Sequence, residues 1–203
     1  MAIVSNVMWF DEMNILQADK DMRVRICDKL EHELIDIFDW VAKFGSGFFY
    51  WELLDKKMHE RYVKIILEEY KDIQDKEELI ELLAFEFFEN TTDLIEKAEG
   101  DKAKLKKALS RERARDCARN STNIAVNTLD YDTAINRGYR KKKWKTMLDG
   151  KERDSHREAH GQTVDIDKPF IVNGYKMDFP MDESYGAPLT EILSCRCAVE
   201  YIK

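Results

Sequence analysis

Residues 170–179 read Phe-Ile-Val-Asn-Gly-Tyr-Lys-Met-Asp-Phe. Two short runs rich in β-branched and aromatic side chains flank Asn173-Gly174. Asn-Gly suits a two-residue turn that needs positive φ at both positions, so a β-hairpin is expected here. Working outward, Thr163 to Ile166 alternates as one further short strand and Ala198 to Ile202 as another, and beyond Gly150 the helical period is lost. Upstream, the chain reads as helix almost throughout. The expected fold class is α+β and predominantly helical. An N-terminal helical region covers 1–100, a long basic connecting helix and linker 101–143, and a small β-hairpin-containing C-terminal module 144–203.

The helical reading rests on spacing. Val24, Cys27, Leu30, Leu34, Ile37, Phe38 and Val41 recur at intervals of three and four, which predicts an amphipathic helix over Leu16–Phe44 that ends at Gly45-Ser46-Gly47. A second helix is expected from Phe48 to about Ile73, with Tyr50, Leu53, Leu54, Met58, Tyr62, Ile65 and Ile66 on its apolar face. Asp75 is placed to cap a third, whose inner side carries Leu79, Leu82, Leu83, Phe87, Leu94 and Ile95. Phe85, Phe87 and Phe88 exceed what one core stripe needs, so a homo-oligomer contact stands beside the core reading. After Glu99-Gly100-Asp101, one helix is expected over Lys102–Asn136, about 50 Å long at 1.5 Å per residue and able to connect two bodies.

With 203 residues the chain is long enough to bury a core. The net charge of −7 hides a segregation that is more informative than the total. Residues 1–101 carry 12 basic against 25 acidic side chains, residues 102–151 carry 15 against 5, and residues 152–203 carry 6 against 10. The basic middle segment points to a polyanion or an acidic protein surface as partner, or to a helix that neutralises acidic neighbours. Its clearest stretch is Arg137-Gly-Tyr-Arg140-Lys141-Lys142-Lys143-Trp144-Lys145. Arg137, Arg140, Lys141, Lys142, Lys143 and Lys145 are the candidate contacts to double-stranded DNA, through phosphates and without sequence specificity. No apolar run is long enough to span a membrane, and the start lacks a basic segment of the kind that precedes a cleaved signal. The four cysteines read as reduced thiols made in a cytoplasm.

From Trp144 the chain follows the order Trp144-x4-Asp149-x3-Arg153-Asp-Ser155-His156-x4-Gly161-Gln162, then Pro169-Phe170, Pro180 and Cys195-Arg196-Cys197. This order resembles the C-terminal domain of the phage minor head proteins, the Mu F-like or head morphogenesis family, over roughly residues 110–203. It departs from relatives that carry Cys-x-x-Cys where this chain reads Arg153-Asp-Ser-His156, and His160 is commonly another residue in them. The resemblance implies a structural component of the virion, synthesised in the host cytoplasm and located inside the head at the portal vertex. Its partners there are the portal protein and packaged DNA, and it assists head assembly and genome packaging or ejection.

A C-terminal module of roughly 60 residues has little core of its own and needs a staple or a docking partner. Thiolates and imidazole are preferred zinc ligands, so His156, Cys195 and Cys197 form the candidate metal set. His160, four residues on from His156, is the candidate fourth ligand. Asp149, Arg153 and Arg196 are expected to form a structural polar network, since guanidinium forks bridge carboxylates and carbonyls in loops without ladders. No phosphate loop, nucleophile elbow or His-Glu-x-x-His is present, and no enzymatic function is expected. The alternative is a small metal-dependent nuclease or toxin-like effector built on Asp154, His156, Glu158 and His160.

Overall fold

The computed structural model describes residues 5–13, 15–44, 48–70, 76–98 and 100–203. Eight helices and five strands lie among them. The helices are α1 (Asn6–Asp11), α2 (Gln17–Phe44), α3 (Phe48–Glu69), α4 (Glu77–Glu96), α5 (Lys102–Ala108), α6 (Arg111–Asn136), α7 (Asp154–Ala159) and α8 (Leu189–Ile192). The strands are β1 (Lys141–Lys145), β2 (Thr163–Asp165), β3 (Phe170–Val172), β4 (Tyr175–Met177) and β5 (Ala198–Ile202). The fold is α+β and predominantly helical. The Gly45–Gly47 stop and the Asp75 cap expected above lie outside the described residues, as do the side chains of Tyr50, Leu53, Leu54 and Leu94.

The chain forms two compact units, one of residues 1–24 and 122–203 and the other of residues 25–121. The second unit is helical. Leu30, Leu34, Phe38 and Val41 of α2, Met58, Tyr62 and Ile66 of α3, and Ile80, Leu83 and Phe87 of α4 are buried in it. Tyr62 and Phe87 bring their rings to 5.1 Å. Leu82, expected on the inner side of α4, is 57% exposed, as Phe85 is at 52%. Both lie on the face opposite Ile80, Leu83 and Phe87.

The continuous helix expected over Lys102–Asn136 is divided. Asp101 caps α5 by accepting from Ala103 N and Lys104 N, and α5 ends at Ala108 with Leu109 as its C-cap. Ser110 then starts α6, its hydroxyl accepting from Arg113 N at 3.2 Å. A serine offers the backbone this local bond in place of helix continuation, which is why it favours helix starts over interiors.

In the first unit, Lys141–Lys145 is a strand rather than a linker. β1 lies at the centre of an antiparallel sheet of order β2-β1-β5, and β3 and β4 form a separate hairpin. At the hairpin turn Asn173 and Gly174 have φ of +51° and +80°, as the Asn-Gly pair required. Along β1 the pleat sends alternate side chains to opposite faces. Lys142 and Trp144 are buried, while Lys141 is exposed and Lys143 and Lys145 are half-buried. Trp144 meets Phe170 edge-on at 5.3 Å and heads a core that includes Val172, Met177, Met181 and Ile192. Cys195 and Cys197 are part of this core.

Candidate metal centre

Three segments converge below Trp144. His156 lies in the first turn of α7, Glu191 in α8, and Cys195-Arg196-Cys197 in the link from α8 to β5. Cys195 and Cys197 are both buried, whereas Arg196 lines the cleft beside them and pairs with Asp149 and Glu12. Helix α6 holds this link from behind, Asn123 Nδ2 donating to the Cys195 carbonyl at 2.8 Å. Asn123 in turn accepts from the buried Arg23 at 2.6 Å, and Asn127 accepts from the same guanidinium at 2.9 Å.

His156 Nδ1 is 3.5 Å from Cys195 Sγ and 3.4 Å from Cys197 Sγ. The three ligand atoms lie within 4.8 Å of one another, and all three residues are buried. A tetrahedral zinc ion with Zn–S of ~2.3 Å and Zn–N of ~2.0–2.1 Å places its nitrogen and sulfur ligands about 3.5 Å apart. The donor set and its spacing therefore fit such an ion. Electrostatics point the same way. The bond between the thiols, with His156 beside them, pulls Cys197 well below the usual thiol range, while the same bond and burial push Cys195 well above it. Two buried thiolates side by side are favoured only with a cation between them.

The imidazole is braced on its other sides. Glu191 Oε2 lies 3.3 Å from Nε2, although the contact is not aligned as a hydrogen bond. Glu191 itself accepts from Ser155 Oγ at 2.8 Å and from Asn173 Nδ2, at the hairpin turn, at 2.9 Å. Burial raises the Glu191 pKa, but these two donors, with the charge of Arg153, leave it below the usual carboxylate range. Thr146 Oγ1 donates to the His156 carbonyl at 2.6 Å and accepts from Trp144 Nε1 at 2.9 Å. The centre opens on a cleft of about 210 Å³ lined by Thr146, Met147, Lys151, Glu152, Arg153, Ser194 and Arg196 as well as the three ligands.

His160 is not part of this centre. Its Nδ1 accepts from Thr146 N at 3.0 Å, and α7 ends at Ala159, so the one-turn spacing that would have stacked it on His156 is not continued. Among the described residues, Asp154, Glu158 and His160 do not gather with His156 into a metal-ligand cluster. In the expected polar network, Arg196 bridges Asp149 at 2.9 Å and Glu12 at 2.7 Å. Arg153 instead donates to the Leu193 carbonyl.

The basic stretch also needs one correction. Lys142 is fully buried, with Nζ 3.1 Å from Asp178 Oδ1 and 4.3 Å from the Tyr131 ring centroid. It is a core cation and is withdrawn from any phosphate-binding surface. Arg137, Arg140 and Lys141 are exposed. Lys145 pairs with Glu200 at 3.4 Å, and Lys143 lies opposite Glu200 in the ladder. Glu191, Asn123 and Thr146 went unnoticed in the sequence, where nothing distinguishes them from ordinary polar residues of short helices and loops.

The chain matches the family described as Phage Mu protein F like protein over residues 86–200, a span that runs from α4 into β5 and includes His156, Cys195 and Cys197. No curated protein and no solved structure matches it. The family points to a role in phage head morphogenesis and implies association with the virion. Among the described residues no helix is long and apolar enough to cross a membrane. With more than half of its length matched, and with the hairpin and the three-ligand cluster inside the match, the chain belongs to the phage Mu protein F-like family.

Proposed function

We propose that this protein is a structural minor head component that acts at the portal vertex, contacts the portal protein and packaged double-stranded DNA, and assists head assembly and genome packaging or ejection. The observation that carries the reading is the family match over residues 86–200. The exposed cations Arg137, Arg140 and Lys141, beside the half-buried Lys143, supply a surface for sequence-independent phosphate contacts. The exposed Leu82 and Phe85 on α4 supply an apolar surface for self-association or for the portal. In this reading a zinc ion on His156, Cys195 and Cys197 fastens the link before β5 to α7, giving the small module the staple that its limited core requires.

The test is size-exclusion chromatography with mass determination, on the protein mixed with the portal protein of the same phage. A complex of defined stoichiometry is the expected result; separate elution at high concentration would remove the portal from the proposal. For the DNA contact, Lys141→Glu with Lys143→Glu is expected to lower affinity equally for all duplexes and to flatten its salt dependence, each lost phosphate contact reducing the slope by roughly 0.9. An unchanged salt slope would remove DNA as a partner of this surface.

A further inference from the structure

We infer that the centre is an open three-ligand site: Glu191 fixes His156 so that Nδ1 is the metal ligand, and the fourth coordination position faces the cleft and takes an exchangeable small ligand. The inference rests on the zinc reading above and adds which atoms bind and which position stays open.

A neutral histidine carries one N–H and one lone pair, and whatever the other nitrogen faces decides which is which. Here Nδ1 faces two thiols at 3.4 and 3.5 Å, and Nε2 faces the Glu191 carboxylate at 3.3 Å. A carboxylate attracts the N–H, so the proton belongs on Nε2 and the lone pair on Nδ1. This is the arrangement in which a carboxylate orients a metal-bound histidine and raises its basicity. Ser155 and Asn173 hold Glu191 in place, so its position does not depend on the ion.

Among the described residues no fourth His, Cys, Asp or Glu joins the cluster of His156, Cys195 and Cys197. His160 Nδ1 is committed to Thr146 N. Of the donors that line the cleft, Glu152 has one oxygen on Arg157 Nε and the other on Gly150 N, both at 2.7 Å. Thr146 Oγ1 donates to the His156 carbonyl and accepts from Trp144. The ion's remaining position therefore points into the cleft. With two thiolates and one neutral imidazole the zinc site is neutral overall, and Lys151, Arg153 and Arg196 line the approach. The ligand class that suits it is water or a small monodentate anion.

The experiment uses the full-length protein loaded with Co2+ and with Zn2+. Azide added to the cobalt form is expected to shift the ligand-field bands saturably, and the bands of His160→Ala are expected to match the wild type. Bands insensitive to azide, or lost in His160→Ala, would overturn the open position. In the zinc form, the 15N shifts of His156 are expected to show a metal-bound Nδ1 and a protonated Nε2. The reverse assignment would overturn the role of Glu191. Glu191→Gln is expected to weaken zinc binding, measured by competition with a chromophoric chelator, by roughly 10–100-fold. An unchanged affinity would also overturn that role. A wild-type protein that takes up neither ion would refute the zinc reading itself, a result distinguishable from all of these.

Discussion

Lys142→Met tests whether the buried cation is a structural element of the first unit. The substitution keeps an unbranched stem of similar length against Tyr131 and Phe170, but removes the ammonium 3.1 Å from Asp178. Removing one partner of a fully buried pair costs ~3–5 kcal/mol. Asp178 retains 20% side-chain exposure and the Tyr185 hydroxyl at 3.2 Å, so water and that hydroxyl recover part of the loss. The ammonium is itself held at a cost, since burial lowers the Lys142 pKa against the pull of Asp178. A net loss of about 2 kcal/mol follows, close to a 30-fold change in an opening equilibrium. Because the chain has two units, the assay is amide hydrogen exchange of the β1–β5 ladder, which reads local opening and not a global average. Protection there is expected to fall about 30-fold, and Lys142→Met with Asp178→Asn is expected to recover much of it, since no carboxylate is then stranded. DNA affinity is expected to be unaffected. Protection within twofold of wild type, or a loss of DNA binding equal to that of Lys141→Glu, would refute the reasoning.

Three further outcomes are expected. Chelation and Cys195→Ser should each lower the melting temperature by roughly 5–10 °C, because an ion at 100 times its Kd contributes about 2.7 kcal/mol; calorimetry should show no further effect of chelator on the variant. Asn123→Ala removes the acceptor of one Arg23 nitrogen and the donor to the Cys195 carbonyl, leaving Asn127 on the guanidinium, and should destabilise the first unit by about 2 kcal/mol, read as a lower thermal midpoint at equal zinc. Glu69 is held below the usual carboxylate range by its hydrogen bonds from Arg25, so its stabilisation is full above the unfolded value of about 4.3 and is lost as pH falls through the lower folded one. The stability difference between wild type and Glu69→Gln, ~0.5–1 kcal/mol at neutral pH for this partly exposed pair, should vanish on acidification in a urea titration series.

Much of the fold was legible because its signals are local. Asn173-Gly174 demanded positive φ and obtained it, and the apolar spacing in α2 marked its buried face correctly from Cys27 to Val41. β1 was hidden because four of its five residues are lysines. A charge run reads as a solvated surface, and the alternation that buries Lys142 with Trp144 emerges only when β2 and β5 flank it. The break at Ser110 was hidden because a lone serine is compatible with either a helix interior or a helix start.

The candidate centre divides in the same way. Imidazole and thiols are metal ligands by their chemistry, and the family-type order from Trp144 to Cys197 singles out His156, Cys195 and Cys197 among four histidines and four cysteines. His160 was attached to them by a helical spacing that α7 does not continue, and Glu191 was absent because it meets His156 across 35 residues of chain. The amino-acid sequence by itself determined the helices with strong periodicity, the hairpin and the types of ligand available, since each depends on short-range sterics, hydrogen bonding or intrinsic donor chemistry. Only the tertiary structure decided which cation is buried, that His160 stays apart from the thiols and which carboxylate stands behind His156, because those outcomes depend on contacts between distant segments whose energies no local stretch contains.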